Sequence, residues 1–320
     1  MAAGFAPVVI YGLCSKAAGW LFLPNSVVAK SDTAENVVLR WLSFHSYNKI
    51  FLASELQVLF LIGGILFLAA VVRTGRLWNR RTVLSLIFLT TTLVHLRVAK
   101  TGAFLRYEAY LVALGLLAIG CALHEELRQL YPKFELRTVM VCSFMVFVLW
   151  NEGAYLIQRG RTGLLVPIAA KNIYEQQYQM ARFVRRYYPG AEVVANDIGA
   201  INFFADIHCI DLGGLGTIGI TKMILDGRVG PDAIDGQIRE NHGRIAIMYE
   251  DWYRRSGGLP PNWVKVGSWR IQSNLVEGDD TVTFFALQPS EVGLLKEHLR
   301  DFANQLPATV RQEGEYLAVR

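Results

Sequence analysis

Basic and aromatic side chains cluster in the stretch FLRYEAYL, at the start of an apolar segment. Arg106, Tyr107 and Glu108 are consecutive there, and Arg97 and Lys100 precede them. Arginine can bind a phosphate or pyrophosphate through two parallel hydrogen bonds, so this cluster is suited to an anionic head group. Such side chains are equally typical of membrane interfaces, where they anchor helices without binding a ligand. The residues alone leave both interpretations open.

A second polar stretch, FLPNSVVAK, follows the first apolar segment. Pro24 favours the end of a helix and Asn25 favours a turn, so the stretch has a structural explanation. The following segment also contains His45, Tyr47 and Lys49, which gives it some potential for binding. On these residues alone, the structural interpretation is favoured over the functional one.

Two aspartates lie beside glycines in the second half of the chain, Asp197 in NDIGAINFF and Asp211 in IDLGGLG. A strand, a glycine loop and a helix could form a nucleotide-binding turn, but the spacing is not G-x-G-x-x-G and the lysine of a P-loop is missing. We therefore predict that both aspartates cap helices or accept hydrogen bonds from loop amides.

Composition and cysteine spacing narrow the classes of function. The formal net charge is +5 and the isoelectric point is about 9.0, but the basic residues are scattered or flank apolar segments, which argues against nucleic-acid binding. Of the four cysteines, Cys14, Cys121 and Cys142 lie in apolar segments and Cys209 lies in the second half. Their spacing predicts neither a disulfide framework nor a metal site.

Five apolar windows in the first half predict membrane-spanning helices, because about 20 apolar residues are needed to cross a bilayer core of about 30 Å. The windows cover residues 5–23, 52–72, 83–96, 105–123 and 139–157. The first lacks the basic start and clear cleavage site of a signal peptide. We therefore expect an α-helical membrane domain over residues 1–160.

The arginines predict the orientation of this domain. The loop RTGRLWNRR carries four arginines and is expected on the cytoplasmic side, as is the loop of residues 124–137. Counting crossings from these loops places residues 24–51 and everything after the fifth window outside. Lys30, Arg40 and Lys49 in the outer loops weaken the charge difference. The prediction is an integral protein of a bacterial inner or plasma membrane, with its C-terminal domain outside.

The second half, residues 161–320, alternates between helix and strand patterns. A helix is predicted in IYEQQYQMARFVRRYY, before Pro189, and another in PSEVGLLKEHLRDFANQL, with Ser290 at its start. Strands are predicted in AEVVAND, HCIDL, RIAIMYE and TVTFFAL. Alternating strands and helices are typical of an α/β domain. The expected fold class is thus a membrane domain of about five transmembrane helices followed by an extracytoplasmic α/β domain.

Three stretches in order, LPNSVVAK, RYEAYL and NDIGAINFFADIHCIDLGGLG, resemble bacterial polytopic membrane proteins of the GT-C glycosyltransferase superfamily. That group includes relatives of the protein mannosyltransferases and of the mycobacterial arabinofuranosyltransferases. The resemblance covers most of the chain. It implies a sugar transfer from a polyprenyl-phosphate donor, bound at the outer membrane face, to an extracytoplasmic acceptor.

The resemblance also implies site residues. Lys30 of the "PN…AK" loop, with Arg106 and Tyr107 of the "RY" motif, match expected contacts of the donor phosphate, whereas Asp197 and Asp211 match only structural positions. No catalytic base can be matched, because the outer-loop carboxylates Asp32 and Glu35 follow the LPN motif. The chain is therefore expected to correspond to the C-terminal part of such an enzyme, with an N-terminal membrane part in the same polypeptide or in a separate subunit. No cofactor is expected, although a divalent metal is left open.

Two other classes compete with the glycosyltransferase interpretation. A membrane-anchored protein could use its outer domain to bind glycan or assist assembly without catalysis. A transporter is less consistent with the sequence, because half of the chain is not apolar and no pair of broken helices repeats. The sequence identifies neither the sugar nor the acceptor.

Overall fold

The computed structural model describes residues 2–30, 56–98, 107–130 and 163–318. They belong to two compact units. One unit comprises Met1–Ala29 and Arg161–Arg320, and the other comprises Lys30–Gly160.

A mixed six-stranded sheet forms the centre of the first unit. Its strands are β1 (Glu192–Ala195), β2 (His208–Asp211), β3 (Ile245–Met248), β4 (Val264–Arg270), β5 (Thr281–Ala286) and β6 (Arg311–Gly314). Their spatial order is β2-β1-β3-β5-β4-β6. β1 pairs in parallel with both β2 and β3, whereas the remaining pairs are antiparallel. Because β1, β2 and β3 run in the same direction, the loops that follow them leave the sheet at the same edge.

Of the helices described in this unit, four precede its first strand and four lie between its strands. In chain order they are α1 (Ala2–Ala17), α2 (Asn25–Lys30), α6 (Val166–Glu175), α7 (Gln177–Tyr187), α8 (Gly199–Phe204), α9 (Ile218–Leu225), α10 (Pro231–Glu240) and α11 (Pro289–Phe302); α3 to α5 belong to the other unit. The last residue of α2, Lys30, is the first residue of the other unit.

Both faces of the sheet are covered, which explains why its central strands are almost continuously apolar. On one face, Phe183 of α7 and Phe302 of α11 pack against Trp269 and Phe284, with all four side chains fully or almost fully buried. On the other face, Ile220, Ile234 and Ile238 of α9 and α10 form a second core with Trp263 and Phe285.

Three helices form the described part of the second unit: α3 (Leu56–Thr74), α4 (Arg80–Val98) and α5 (Ala109–Leu130). The ring of Phe88 is fully buried among them. A Cβ at Gly63 would lie 3.0 Å from this ring, and one at Gly115 would lie 2.8 Å from it. The two glycines thus let the three helices approach around one phenylalanine.

The predicted fold class is wrong in its membrane domain. Within the described residues, α3 alone is long and apolar enough to cross a membrane, with 19 residues and a mean hydropathy of 2.3. The other apolar helical stretches there are shorter, at Ala6–Ala17, Thr82–Leu96 and Ala109–His124. A bilayer core requires about 20 apolar residues, so these stretches fall short. The predicted window at residues 139–157 lies outside the described residues.

Hydropathy averages misled the prediction because they ignore where a helix ends. The first helix stops at Ala17, and the chain turns at Gly19, which has a φ of +79°. The apolar part of α5 is followed by the sequence HEELRQL within the same helix. Polar ends of this kind shorten the apolar length without removing the helix.

Several predicted elements of the second half occur in the structure at shifted bounds. β1, β2, β3 and β5 lie within the four predicted strand segments. The single helix predicted before Pro189 is two helices, α6 and α7, which meet at Gln176. The helix predicted to start at Ser290 instead has Gln288 as its N-terminal cap and makes no capping hydrogen bond from that side chain.

A pair of glycine substitutions tests the packing of the antiparallel half of the sheet. In β4, a Cβ at Gly267 would lie 2.4 Å from the ring of the fully buried Tyr316 and 2.9 Å from a backbone oxygen. We expect Gly267→Ala to destabilise the full chain by about 1–3 kcal/mol, because an overpacked site must shift its neighbours. Thermal unfolding of the purified protein measures the change.

The matched control is Gly236→Ala in α10, where an added Cβ meets nothing within 4 Å. Alanine is favoured over glycine inside a helix by about 0.5–1 kcal/mol, so this variant should unfold at a slightly higher temperature. Equal effects of the two substitutions would contradict the described packing around Tyr316.

Candidate functional site at the carboxyl ends of the parallel strands

The order of the parallel strands creates a crevice at one edge of the sheet. The chain passes from β1 to β2 on one side and then returns to β3 on the other side of β1. In open α/β sheets, ligands bind outside the carboxyl ends of strands at such a reversal of strand order. We call this edge, where β1, β2 and β3 end, the carboxyl edge.

Asn196 joins two strands directly at the carboxyl edge. Its side-chain Oδ1 accepts a hydrogen bond from the Tyr249 N–H at 3.1 Å, and its Nδ2 donates to the Tyr249 carbonyl at 3.2 Å. Both residues are buried. The amide thus continues the pairing of β1 and β3 by one step and fixes the positions of Asp197 and Tyr249.

The carboxylate of Asp211 holds the glycine loop that follows β2. Its Oδ1 accepts a hydrogen bond from the N–H of Gly213 at 2.7 Å, and its Oδ2 accepts from Leu215 and Gly216 at 2.6 and 2.7 Å. Asp211 is only 2% exposed, so these three donors replace its contact with water. The prediction that this aspartate binds loop amides is confirmed.

Two further features fix the shape of the glycine loop. Gly214 has a φ of +73°, which strongly favours glycine. The hydroxyl of Thr217 accepts a hydrogen bond from the Asp211 N–H at 2.8 Å, and the hydroxyl of Thr221 donates to the Gly214 carbonyl at 2.7 Å. The loop therefore leads into α9 with a defined backbone.

A pocket of about 280 Å³ lies between the glycine loop and the N-terminal segment of the same unit. Leu23, Pro24 and Asn25 of the LPN motif line it from one side, and Leu215, Gly216 and Ile218 line it from the other. The remaining lining residues are Tyr11, Ser15 and Trp20. Two sequence motifs that are about 190 residues apart thus line one pocket.

A second group of polar side chains lies at the same edge, around Gln177. The Nε2 of Gln177 donates to Oδ2 of Asp197 at 2.5 Å and to Oε2 of Glu277 at 2.6 Å. The hydroxyl of Tyr249 donates to Oε1 of Gln176 at 2.9 Å. One neutral amide therefore bridges two carboxylates.

Burial makes these carboxylates unusual acids. Burial, with repulsion from Asp197 as a smaller cause, raises the pKa of Glu277 to about 7. Burial also raises the pKa of Asp197 above its ordinary value. Near neutral pH, the pair therefore holds fewer negative charges than two exposed carboxylates would.

The β4–β5 connection, residues 271–280, is held against α6 and α7 by amide side chains. Asn172 donates from Nδ2 to the Ser273 carbonyl at 2.5 Å and accepts from the Leu275 N–H at 2.9 Å. Gln176 donates to the Asp279 carbonyl at 3.2 Å. Together with Gln177 and Glu277, these bonds place the connection over the carboxyl edge.

The three predicted donor-phosphate residues are not tested by these contacts. Lys30 is the last residue of α2, and Arg106 lies outside the described residues. Tyr107 is half-buried just before α5. Their grouping around a phosphate therefore stays a prediction. Across the described ranges, no group of three or more histidine, cysteine, aspartate or glutamate side chains is placed to hold a metal ion.

Sequence reasoning missed Glu277, Gln177 and Tyr249. Gln177 and Glu277 are 100 residues apart in the sequence, and only the folded sheet brings them together. The available signal was that Tyr249 lies near the end of the predicted strand segment RIAIMYE and Glu277 lies four residues before the predicted strand TVTFFAL. Both positions lie at one edge of an antiparallel pair.

Comparison with known proteins gives one match. A family model described as a domain of unknown function (DUF8728) matches residues 171–285. This span includes the glycine loop and Glu277 but not the LPN motif. No curated protein matches the chain. No solved structure matches it.

The first prediction at this site concerns Asp211. Asp211→Asn replaces one acceptor oxygen by an amide that cannot accept the same N–H groups, so we expect a loss of about 1.5–3 kcal/mol in the free energy of unfolding. Chemical denaturation of the full chain measures it. Asp226→Asn, which alters an exposed ion pair with Arg228, is the control and should change stability little. A similar loss in both variants would contradict the anchoring role.

The second prediction concerns Glu277. A carboxyl group with a pKa raised from 4.5 to about 7 on folding binds more protons in the folded state between these values. Its contribution to stability is present at low pH and is lost as the pH rises through about 7. Glu277→Gln removes this loss, and each 1 kcal/mol regained raises the Tm at pH 8 by about 2–4 °C.

The exposed Glu240 provides the control for this experiment. Glu240→Gln should leave the pH dependence of Tm unchanged, whereas Glu277→Gln should flatten it between pH 5 and 8, a range set by the pKa of about 7. A wild-type Tm that rises over this pH range, where the Tm of Glu277→Gln does not, would contradict the raised pKa of Glu277.

Proposed function

We propose that this chain is a membrane glycosyltransferase of the GT-C type, or the C-terminal part of one. It transfers a sugar from a polyprenyl-phosphate donor to an acceptor outside the cytoplasm, and the pocket at the carboxyl edge binds a saccharide during this reaction. In this proposal, the chain lies in a bacterial inner or plasma membrane, with the sheet-containing unit on the outer side.

The observation that carries the proposal is the shared pocket. The LPN motif and the IDLGGLG motif are two of the three stretches on which the resemblance to GT-C enzymes rests. Leu23, Pro24 and Asn25 line the same pocket as Leu215 and Gly216. Motifs far apart in sequence that meet around one cavity are consistent with a common ligand.

The chemistry of the pocket suits a sugar ring. Tyr11 and Trp20 are exposed, so their rings are open to a ligand, and aromatic faces pack well against the C–H groups of a pyranose. Asn25 and Ser15 supply polar groups that fix orientation. A volume of about 280 Å³ is near the lower end of ligand pockets, which favours one sugar unit over a long glycan.

The transfer itself needs groups beyond this pocket. The acceptor hydroxyl oxygen forms a bond to the anomeric carbon, the bond from that carbon to the phosphate oxygen breaks, and the hydroxyl proton goes to a base. Cations stabilise the departing polyprenyl phosphate, which is the role proposed for Lys30 and Arg106, with Tyr107 as a hydrogen-bond donor. No described residue is proposed as the base.

Substitution of Trp20 tests the pocket. Trp20→Ala removes the stacking surface, whose value of about 0.5–1.5 kcal/mol corresponds to a decrease of about 2- to 10-fold in kcat/KM. Sugar transfer from radiolabelled polyprenyl-phosphate sugars is measured in membranes that contain the full chain. Trp78→Ala is the matched control, because Trp78 is exposed and does not line the pocket.

The outcome separates the two candidate functions. Transfer that decreases in Trp20→Ala and not in Trp78→Ala supports the proposal. Saccharide binding that depends on Trp20 without transfer from any donor would instead indicate a glycan-binding protein. If the protein showed neither sugar transfer nor saccharide binding, the pocket would be rejected as a functional site.

A further inference from the structure

Helix α6 turns polar side chains inward and apolar side chains outward, the reverse of an ordinary surface helix. Its polar residues Asn172 and Glu175 are buried, whereas Val166, Ile173 and Tyr174 are exposed. Surface helices of globular proteins normally turn their apolar side inward. The apolar side of α6 is therefore available for contact with something outside the described fold.

Polar contacts fix α6 in this orientation. Asn172 binds the backbone of Ser273 and Leu275, as described above. Oε1 of Glu175 accepts a hydrogen bond from the Thr309 hydroxyl and lies 3.5 Å from Nζ of Lys171. Turning α6 over would leave Asn172 and Glu175 without these partners, so the exposed apolar side is not an accidental rotation.

The exposed side of α6 continues into a row of aromatic rings. The ring of Tyr174 stacks on Tyr178 at 5.7 Å between centroids, Tyr178 contacts Phe204 at 5.2 Å, and Phe204 contacts Phe203 at 4.8 Å. Phe203 is 81% exposed, and Leu164, which precedes α6, is 74% exposed. We call this surface the edge patch: Leu164, Val166, Ile173, Tyr174, Phe203 and Phe204.

We infer that the edge patch contacts the surface of a lipid bilayer and inserts its apolar side chains there. Exposed apolar side chains mixed with aromatic rings are typical of surfaces at the membrane–water interface. The inference rests on the proposed membrane location, but not on the proposed transfer reaction.

The sequence before the edge patch favours lipid over a second protein. Residues 139–157 contain one charged residue, Glu152, and end six residues before the described part resumes at residue 163. Arg159 and Arg161 lie between that apolar stretch and the patch. Apolar chain, basic residues and aromatic rings follow one another as they do at bilayer interfaces.

The opposite edge of the sheet provides a natural control. Val264 is the first residue of β4 and pairs with Ala286. Ala286 also pairs with Ile245, the first residue of β3, so Val264 lies at the edge of the sheet away from the carboxyl edge. It is also exposed, at 42%, the same value as Phe204. A bilayer on the edge patch would leave Val264 in water.

The test uses the full chain with its native cysteines replaced by serine, reconstituted in phosphatidylcholine nanodiscs. An environment-sensitive fluorophore is attached to Phe203→Cys and, in a separate protein, to Val264→Cys. Brominated acyl chains should quench the label at residue 203 by about half or more, because interfacial elements insert about 5–10 Å into the boundary. The label at residue 264 should not be quenched. Leu164→Cys repeats the measurement on the other end of the patch in case Phe203→Cys does not fold.

Each contrary result overturns the inference. Equal quenching at residues 203 and 264, or none at residues 164 and 203, excludes lipid contact by the patch. A label at residue 203 that is shielded without bromine quenching, and only at a high ratio of protein to nanodisc, identifies a second copy as the occupant. Sugar transfer by unlabelled wild-type protein is measured separately, so transfer without quenching rejects the edge patch alone, and quenching without transfer rejects the proposed function alone.

Discussion

The buried carboxylate of Asp211 is the interaction on which the candidate site depends. Its two oxygens accept three backbone hydrogen bonds from Gly213, Leu215 and Gly216 in the glycine loop. A loop rich in glycine loses much conformational entropy when it is ordered, and charge-assisted hydrogen bonds offset part of that cost. Without Asp211, the wall of the pocket formed by Leu215 and Gly216 would lose the hydrogen bond that each of these residues donates to the carboxylate.

Asp211 also illustrates how this edge accommodates negative charge. Asp197 lies near Asp211, and Gln177 joins Asp197 to Glu277. In the described part of the chain, none of the three carboxylates forms an ion pair with lysine or arginine. Backbone amides donate hydrogen bonds to Asp211, and the Gln177 side chain donates to both Asp197 and Glu277, with a further backbone hydrogen bond from Gly199 to Asp197. The amide donors are neutral, so burial is only partly compensated and the pKa of Glu277 rises to about 7.

Local sequence patterns were enough for part of this fold. β1, β3 and β5 are short apolar runs, and Asp211 followed by glycines indicated a loop held by a side chain. β6, with the sequence RQEG, has no apolar run, and β4 is interrupted by Gly267 at a bulge, so neither was predicted. The pocket and the Gln177 bridge could not be predicted, because both join residues far apart in sequence. The membrane windows at residues 5–23, 83–96 and 105–123 failed for a different reason, since apolar composition does not reveal where a helix ends.

The pocket and the edge patch belong to the same unit, and this suggests how a lipid-linked sugar would be handled. The polyprenyl chain of such a substrate stays in the bilayer, and only its phosphate and sugar extend into water. A soluble domain can bind that sugar without extracting the lipid only if its pocket lies within reach of the bilayer surface. Both α6, which carries the patch, and the glycine loop, which lines the pocket, lie at the carboxyl edge. Contact of the patch with lipid would hold this edge at the height where the sugar is presented, and it would raise the local concentration of the sugar at the pocket.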